Sequence, residues 1–137
     1  MASPARDIAA LLQTLGVGTE GTDIFLGRIP EETDLSLALF DLPGIGPDPR
    51  WKRDDVLVQV VVRGNRNEYQ TTYNFAQTVK DALLACNPTT INGSLYSLIT
   101  MLGDVGFIGY DDDERPKFLM NFRVVRDNAP GGSRGSL

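Results

Sequence analysis

The chain has 137 residues and a net charge of -5, with 42% apolar and 23% charged residues. This balance is that of one ordinary globular domain, and it excludes a disordered chain and a membrane-spanning one, because no apolar run approaches the roughly 18 residues that cross a bilayer. The negative charge also argues against general attraction to a polyanion, since nucleic-acid binding normally requires a basic face.

The first predicted element is an N-terminal helix. Ser3 and Pro4 stand in the order of an N-cap and a first helical residue. An apolar stripe at helical spacing follows and ends before Gly16. Its residues are Ile8, Leu11, Leu12 and Leu15. The segment lacks the form of a secretory signal, because Asp7 interrupts it, and we therefore expect a cytosolic protein.

Two strands and a long loop come next. Residues 23–29 and 35–42 have the pattern of short strands, the first ended by Pro30 and the second by Pro43. Residues 43–55 contain three prolines and two glycines, which predicts a loop rather than regular structure. Loops of this length inside a compact domain usually serve a function.

The best specified segment is a strand followed by a helix. Residues 56–63, VLVQVVVR, are apolar on both faces, which predicts a strand inside the sheet rather than at its edge. After Gly64 and Asn65 the pattern changes to helical spacing. Residues 67–86 are predicted to form a second helix, which packs on the sheet through one broad apolar stripe.

Three further strands are predicted in the C-terminal part. A strand begins at the Asn92-Gly93 turn and runs to Met101, a short strand covers residues 105–110, and the last strand covers residues 117–126. The acidic turn DDDERP joins the last two strands. We expect one domain over residues 1–127, and the composition of residues 128–137 predicts a disordered tail.

The composition is poor in groups for catalysis or metal binding. There is no histidine, and the single cysteine, Cys86, lies on the apolar stripe of the second helix, where core packing is the default for a thiol. Residues 111–114 are all acidic, but calcium loops space their ligands at alternate positions, so a solvated hairpin tip is favoured. The sequence therefore predicts no catalytic residue, metal or cofactor, and an enzyme is the least favoured class.

Two stretches carry a resemblance to a known family. DVLVQVVVRGN leading into YQTTYNFAQTVKDALLA, and FIGYDDDERPKFLMNFRVV, are similar to the tail terminator and minor capsid (tail completion) proteins of long-tailed bacteriophages, over most of residues 5–127. The resemblance implies an α+β fold, with a single mixed, mainly antiparallel sheet of five to six strands, two helices on one face and a β-hairpin. It also implies a structural virion protein with no role at a membrane.

The resemblance further implies an assembly. The chain would form a homo-oligomeric ring, a hexamer, that caps the tail tube, stops its polymerisation and joins it to the head connector. DNA would only pass through the lumen, which suits the negative net charge. The ring would lie at the head-proximal end of the tail and assemble in the host cytoplasm. A neck or completion protein of similar fold, and a non-viral adaptor domain, are the alternatives.

The residues themselves suggest where such an assembly would make contact. A ring with head-to-tail contacts requires two different complementary patches on each subunit. The basic loop and the acidic turn would supply them, and the candidate interface residues are Arg50, Trp51, Lys52, Arg53, Asp111, Asp112, Asp113, Glu114 and Arg115. Tryptophan and arginine are enriched at the energetic centres of interfaces. Trp51 has a second interpretation, in which it folds back onto the sheet and anchors the loop.

Overall fold

The computed structural model describes residues 2–47 and 53–127. The predicted tail and residues Arg50, Trp51 and Lys52 of the basic loop lie outside the described residues. The elements, in chain order, are α1 (Pro4–Thr14), β1 (Ile24–Leu26), β2 (Ser36–Ile45), β3 (Arg53–Arg63), α2 (Tyr69–Leu84), β4 (Thr89–Ile91), β5 (Ser94–Met101), β6 (Gly106–Tyr110) and β7 (Pro116–Asp127).

The strands form a single sheet in the order β1-β2-β3-β7-β5-β4, and β6 also pairs with β7. Only β1 and β2 are parallel among the described pairs. Because β3 pairs with one edge of β7 along its whole length, β5 and β6 lie end to end along the other edge. The predicted α+β fold, with a mixed sheet and two helices, is confirmed.

The described sheet has one strand more than the sequence indicated. Residues 89–91 form β4, which pairs with β5 across a two-residue turn at Asn92 and Gly93. Both turn residues have positive φ, at 50° and 81°, as a tight hairpin turn of this kind requires. The strand was missed because Pro88 and two threonines carry little apolar alternation.

Helix α1 forms as predicted, with one exception. The Ser3 hydroxyl accepts a hydrogen bond from the Arg6 N–H at 3.2 Å, and Gly16 follows the helix with φ of 78°. Ile8, Leu11 and Leu12 are buried, but Leu15, the last residue of the predicted stripe, is 42% exposed. Leu15 caps the helix, where the chain turns away from the core.

Strand β2 does not stop at Pro43. It continues to Ile45, with a register shift after Leu42, so the prediction of a loop starting at residue 43 was wrong. A proline fits here because it lies at an irregularity and because β1 pairs only with residues 37–39, so its missing N–H interrupts no described ladder. Gly44 allows β2 to lie close to β3 at this point, since a Cβ there would lie 2.2 Å from the Asp55 carbonyl oxygen.

The core lies between the two helices and the central strands. Strand β3 lies between β2 and β7, which confirms its predicted interior position. Side chains from β3, β7 and both helices interlock there, and those with 0–1% exposure include Val58, Val60, Val62, Phe118, Met120, Phe122, Ile8, Leu12, Ala76, Val79 and Leu83. Gly64 lies at the junction of β3 and α2, where a Cβ would lie 1.6 Å from the Thr72 Oγ1 atom.

Candidate functional site

Arg53, the described residue of the basic segment, and the acidic turn lie at opposite ends of the sheet. In the β3–β7 ladder, Arg53 is opposite Asp127 and Arg63 is opposite Lys117. Ten residue steps separate these pairs, which corresponds to about 33 Å along the strands. Arg53 begins β3 at one end, and the turn between β6 and β7 belongs to the Lys117 end. One subunit therefore keeps Arg53 and the acidic turn apart.

Asp111 organises the acidic turn. Its carboxylate accepts hydrogen bonds from the backbone N–H groups of Asp113, at 3.0 Å, and Arg115, at 2.9 Å. Burial by itself raises the pKa of Asp111, but these bonds and that from the Arg115 side chain outweigh it and hold the pKa below its ordinary value. Asp111 thus holds the turn in shape, while Asp112, Asp113 and Glu114 are exposed.

Arg115 points into the protein and is only 3% exposed. Its Nε donates to the Asp111 carboxylate at 2.8 Å, and Nη1 donates to the Glu31 carbonyl at 2.7 Å. The same guanidinium also contacts the carboxylates of Glu31, at 3.1 Å, and Asp34, at 3.3 Å. The fork is therefore occupied within the subunit, and the acidic side chains around it carry the exposed charge.

A second buried arginine, Arg63, also binds the loop between β1 and β2. Its Nη2 donates to the Pro30 carbonyl at 2.6 Å and to the Thr33 carbonyl, and its Nε lies 3.9 Å from the Asp111 carboxylate. Burial, then the nearby Arg115 charge, lowers the pKa of Arg63. Two guanidinium groups thus fasten the loop between β1 and β2 to the turn between β6 and β7.

This end of the molecule presents a strongly acidic surface. The exposed carboxylates come from both fastened segments and are Glu31, Glu32, Asp34, Asp112, Asp113 and Glu114. Arg66 lies among them and contacts Glu114 at 3.4 Å, with 71% of its side chain exposed. Sequence reasoning identified the turn but missed the contribution of the β1–β2 loop, since residues 31–34 become neighbours of the turn only in the folded sheet.

At the opposite end, only Arg53 of the predicted basic segment is described. It contacts Asp127 across the β3–β7 ladder at 3.8 Å, and 61% of its side chain is exposed. Arg50, Trp51 and Lys52 lie outside the described residues, so their role stays a prediction.

A buried polar network supports the Arg53 end from inside. The Asp7 carboxylate, 1% exposed, accepts hydrogen bonds from the Tyr96 hydroxyl and, at 2.8 Å, from the Asn92 amide. Arg126 contacts Asp7 and Asp54, each at 3.5 Å. Burial, then the hydrogen bond to Asp7, raises the pKa of Tyr96. The sequence offered one sign of this network, because Asp7 shares a helical face with the buried Leu11.

An exposed aromatic cluster adjoins the acidic turn. The rings of Tyr69 and Phe107 are 5.1 Å apart, and those of Phe107 and Tyr110 are 5.4 Å apart. Phe107 also contacts the buried ring of Phe118 at 5.4 Å. Sequence reasoning missed this cluster, although the segment FIGY, apolar and adjacent to charge, was a sign of it.

The comparison with known families identifies the family of this chain. The sequence matches the family described as bacteriophage tail terminator protein over residues 11–128, which includes the sheet, α2, the basic loop and the acidic turn. The chain belongs to the bacteriophage tail terminator family. It is a structural protein of the phage tail and a component of the virion, as the resemblance implied. Curated proteins gave no match.

The sheet of this tail terminator has a second face that the helices do not cover. Residues alternate along β3 and β7, so Leu57, Leu119 and Arg123 point away from the core formed by their neighbours. Arg123 donates two hydrogen bonds to Asp55, at 2.9 and 2.6 Å. The bond from Arg123 is the main reason that the pKa of Asp55 is lowered. This face is therefore partly apolar and carries one strong ion pair.

The described residues contain neither a membrane-spanning helix nor a group of metal ligands. None of its helices is both long and apolar enough to cross a membrane. Within residues 2–47 and 53–127, no three acidic or cysteine side chains are grouped so as to hold a metal ion.

Proposed function

We propose that this protein forms a closed homo-oligomeric ring, a hexamer, that caps the tail tube, ends its polymerisation and joins it to the head connector. The observation that carries this proposal is the acidic surface at one end of the sheet and, at the other end, Arg53, which is 61% exposed and is preceded in the sequence by Arg50 and Lys52. Family membership supports the tail as the place of action. The head-proximal end of the tail, and assembly in the host cytoplasm, follow from the same proposal.

The charge separation favours head-to-tail contacts. A ring requires that one patch on each subunit match a different patch on its neighbour. Asp112, Asp113 and Glu114 are exposed at one end, and Arg53, which Arg50 and Lys52 precede in the sequence, belongs to the other. Because the ends are about 33 Å apart on a continuous ladder, they can meet only between two copies.

The proposed role is mechanical rather than catalytic. The tail tube protein and the head connector are the proposed partners, beside further copies of this chain. DNA passes through the lumen without being held, which the net charge of -5 supports, since a negative lumen repels the phosphate backbone. No cofactor is needed for this role.

Tube growth provides the direct test. Tube protein is polymerised with and without this chain, and tube lengths are measured by electron microscopy. We expect short tubes that no longer grow when fresh tube protein is added. Continued growth with the chain bound would refute the capping role, and rings that ignore the tube but bind the connector would indicate a neck protein instead.

The charge arrangement has its own test in sedimentation velocity. Replacing Arg50 and Arg53 by glutamate should weaken self-association, and so should replacing Asp112 and Glu114 by arginine. Combining all four substitutions should restore much of the assembly, because opposite charges then face each other again. If each pair of substitutions leaves assembly unchanged, the basic loop and the acidic turn do not meet in the ring.

A further inference from the structure

Strand β6 combines an open edge with exposed apolar side chains. One of its edges pairs with β7, and within the described residues no strand pairs with the other edge. The side chains of Tyr69, Phe107, Ile108 and Tyr110 beside this edge are between 42% and 50% exposed. We call these four residues the β6 aromatic surface. An apolar open edge of this kind usually binds another chain.

The aromatic rings of the β6 aromatic surface pack on the core. Its rings continue inward to Phe118, which is 1% exposed and contacts both Tyr69, at 5.1 Å, and Phe107, at 5.4 Å. Ring contacts of this kind restrict the side chains before any partner arrives, so binding costs less side-chain entropy. On the other face of β6, Gly106 and Gly109 leave open space, since nothing lies within 4 Å of a Cβ at either position.

The charges next to the β6 aromatic surface restrict which surface of another chain can bind there. Asp112, Asp113 and Glu114 follow Tyr110 almost directly and are exposed. Two copies that met through this same surface would bring their acidic turns together, which like-charge repulsion disfavours. The matching surface must therefore carry positive charge at its rim, and Arg53, 61% exposed and preceded in the sequence by Arg50 and Lys52, supplies it.

We infer that the β6 aromatic surface is the apolar centre of the contact between successive subunits, and that its occupant is the Arg53 end of a second copy of this chain. This inference rests on the proposed ring. Exposed ion pairs contribute little to affinity, so the charges orient the contact and the aromatic side chains hold it. The energetic centre thus lies beside the acidic turn rather than on it.

The test replaces exposed apolar residues at matched sites. Ile108→Ser and Tyr110→Ser alter the β6 aromatic surface, and Tyr69→Ser alters it from α2, without touching the strand. Leu26→Ser is the control, because Leu26 is 39% exposed on β1, at the opposite side of the sheet from β6 and level with Val60 rather than with Arg53. Self-association is measured by sedimentation velocity from low micromolar to near-millimolar concentration, and circular dichroism verifies the fold. Hydrogen exchange of the β6 amides is followed with and without assembly.

We expect each of the three variants to weaken self-association by about tenfold or more, as loss of an interface anchor does, while Leu26→Ser assembles like the original chain. The β6 amides should exchange more slowly in the assembly. Unchanged self-association of the variants, or an original chain that stays monomeric throughout, would overturn the inference.

Tube-growth assays separate this inference from the proposed function. If the variants assemble normally but no longer arrest tube growth, the surface binds the tube protein and the inference is wrong. If they fail to assemble while the original chain also fails to arrest tubes, the inference stands and the capping role is refuted.

Discussion

Arg115→Met tests whether Arg115 acts inside the subunit or at an interface. Sequence reasoning placed this residue among the interface candidates, and the structure buries its guanidinium against the β1–β2 loop. Methionine keeps much of the apolar volume but removes the charge and all its hydrogen bonds. If Arg115 acts inside the subunit, the variant destabilises the isolated monomer.

The stability lost in Arg115→Met depends on which carboxylates that contact Arg115 can be rehydrated in the variant. The carboxylates of Glu31 and Asp34 are 80% and 63% exposed and rehydrate at little cost. Asp111 is 18% exposed and loses its closest cation, although it keeps two backbone donors. Removing one partner of a buried ion pair costs about 3–5 kcal/mol of stability. Because Asp111 keeps its two backbone donors, we expect the lower end of this range, about 3 kcal/mol. For a domain of this size, that loss lowers Tm by about 12 °C.

The assay is calorimetry at a concentration where the protein is monomeric. Arg66→Met is the matched control, since it removes the same charge near the same turn from a side chain that is 71% exposed. Its ion pair with Glu114 contributes at most about 1 kcal/mol. If Arg115→Met melts together with Arg66→Met, the structural role assigned to Arg115 is refuted.

Two further predictions concern packing and pH. Gly64→Ala should destabilise the protein by about 3 kcal/mol in urea unfolding, because its Cβ would overlap Thr72, whereas Gly46→Ala, which meets nothing within 4 Å, should be neutral; equal midpoints would disprove this. The lowered pKa of Asp55 stabilises the fold above its unfolded pKa, about 3.9, and this contribution is lost as the pH falls through the lower folded pKa. Arg123→Met should therefore reduce the drop in Tm between neutral and acidic pH, and an unchanged drop would show that the pair does not contribute.

Much of the fold was predictable because its signals are local. The stripe of α1, the apolar β3 and the alternation of Phe118, Met120 and Phe122 follow from periods of 3.6 and 2, which the chain displays without reference to distant residues. β4 was missed because its three residues are short and polar. The end of β2 was predicted wrongly at Pro43 for another reason. Whether a proline ends a strand depends on which edge of that strand is paired at the proline.

The candidate site was also predictable only in part. The sequence by itself determined that the chain is an acidic α+β domain of the tail terminator type, with a basic loop and an acidic turn. Only the tertiary structure decided that Arg53 and the acidic turn lie at opposite ends, that Arg115 and Arg63 face inward, and that Tyr69 joins Phe107 and Tyr110 at an open edge. The physical reason is that charge and periodicity are properties of neighbouring residues, whereas burial, pairing partners and open edges arise from contacts between residues far apart in the chain.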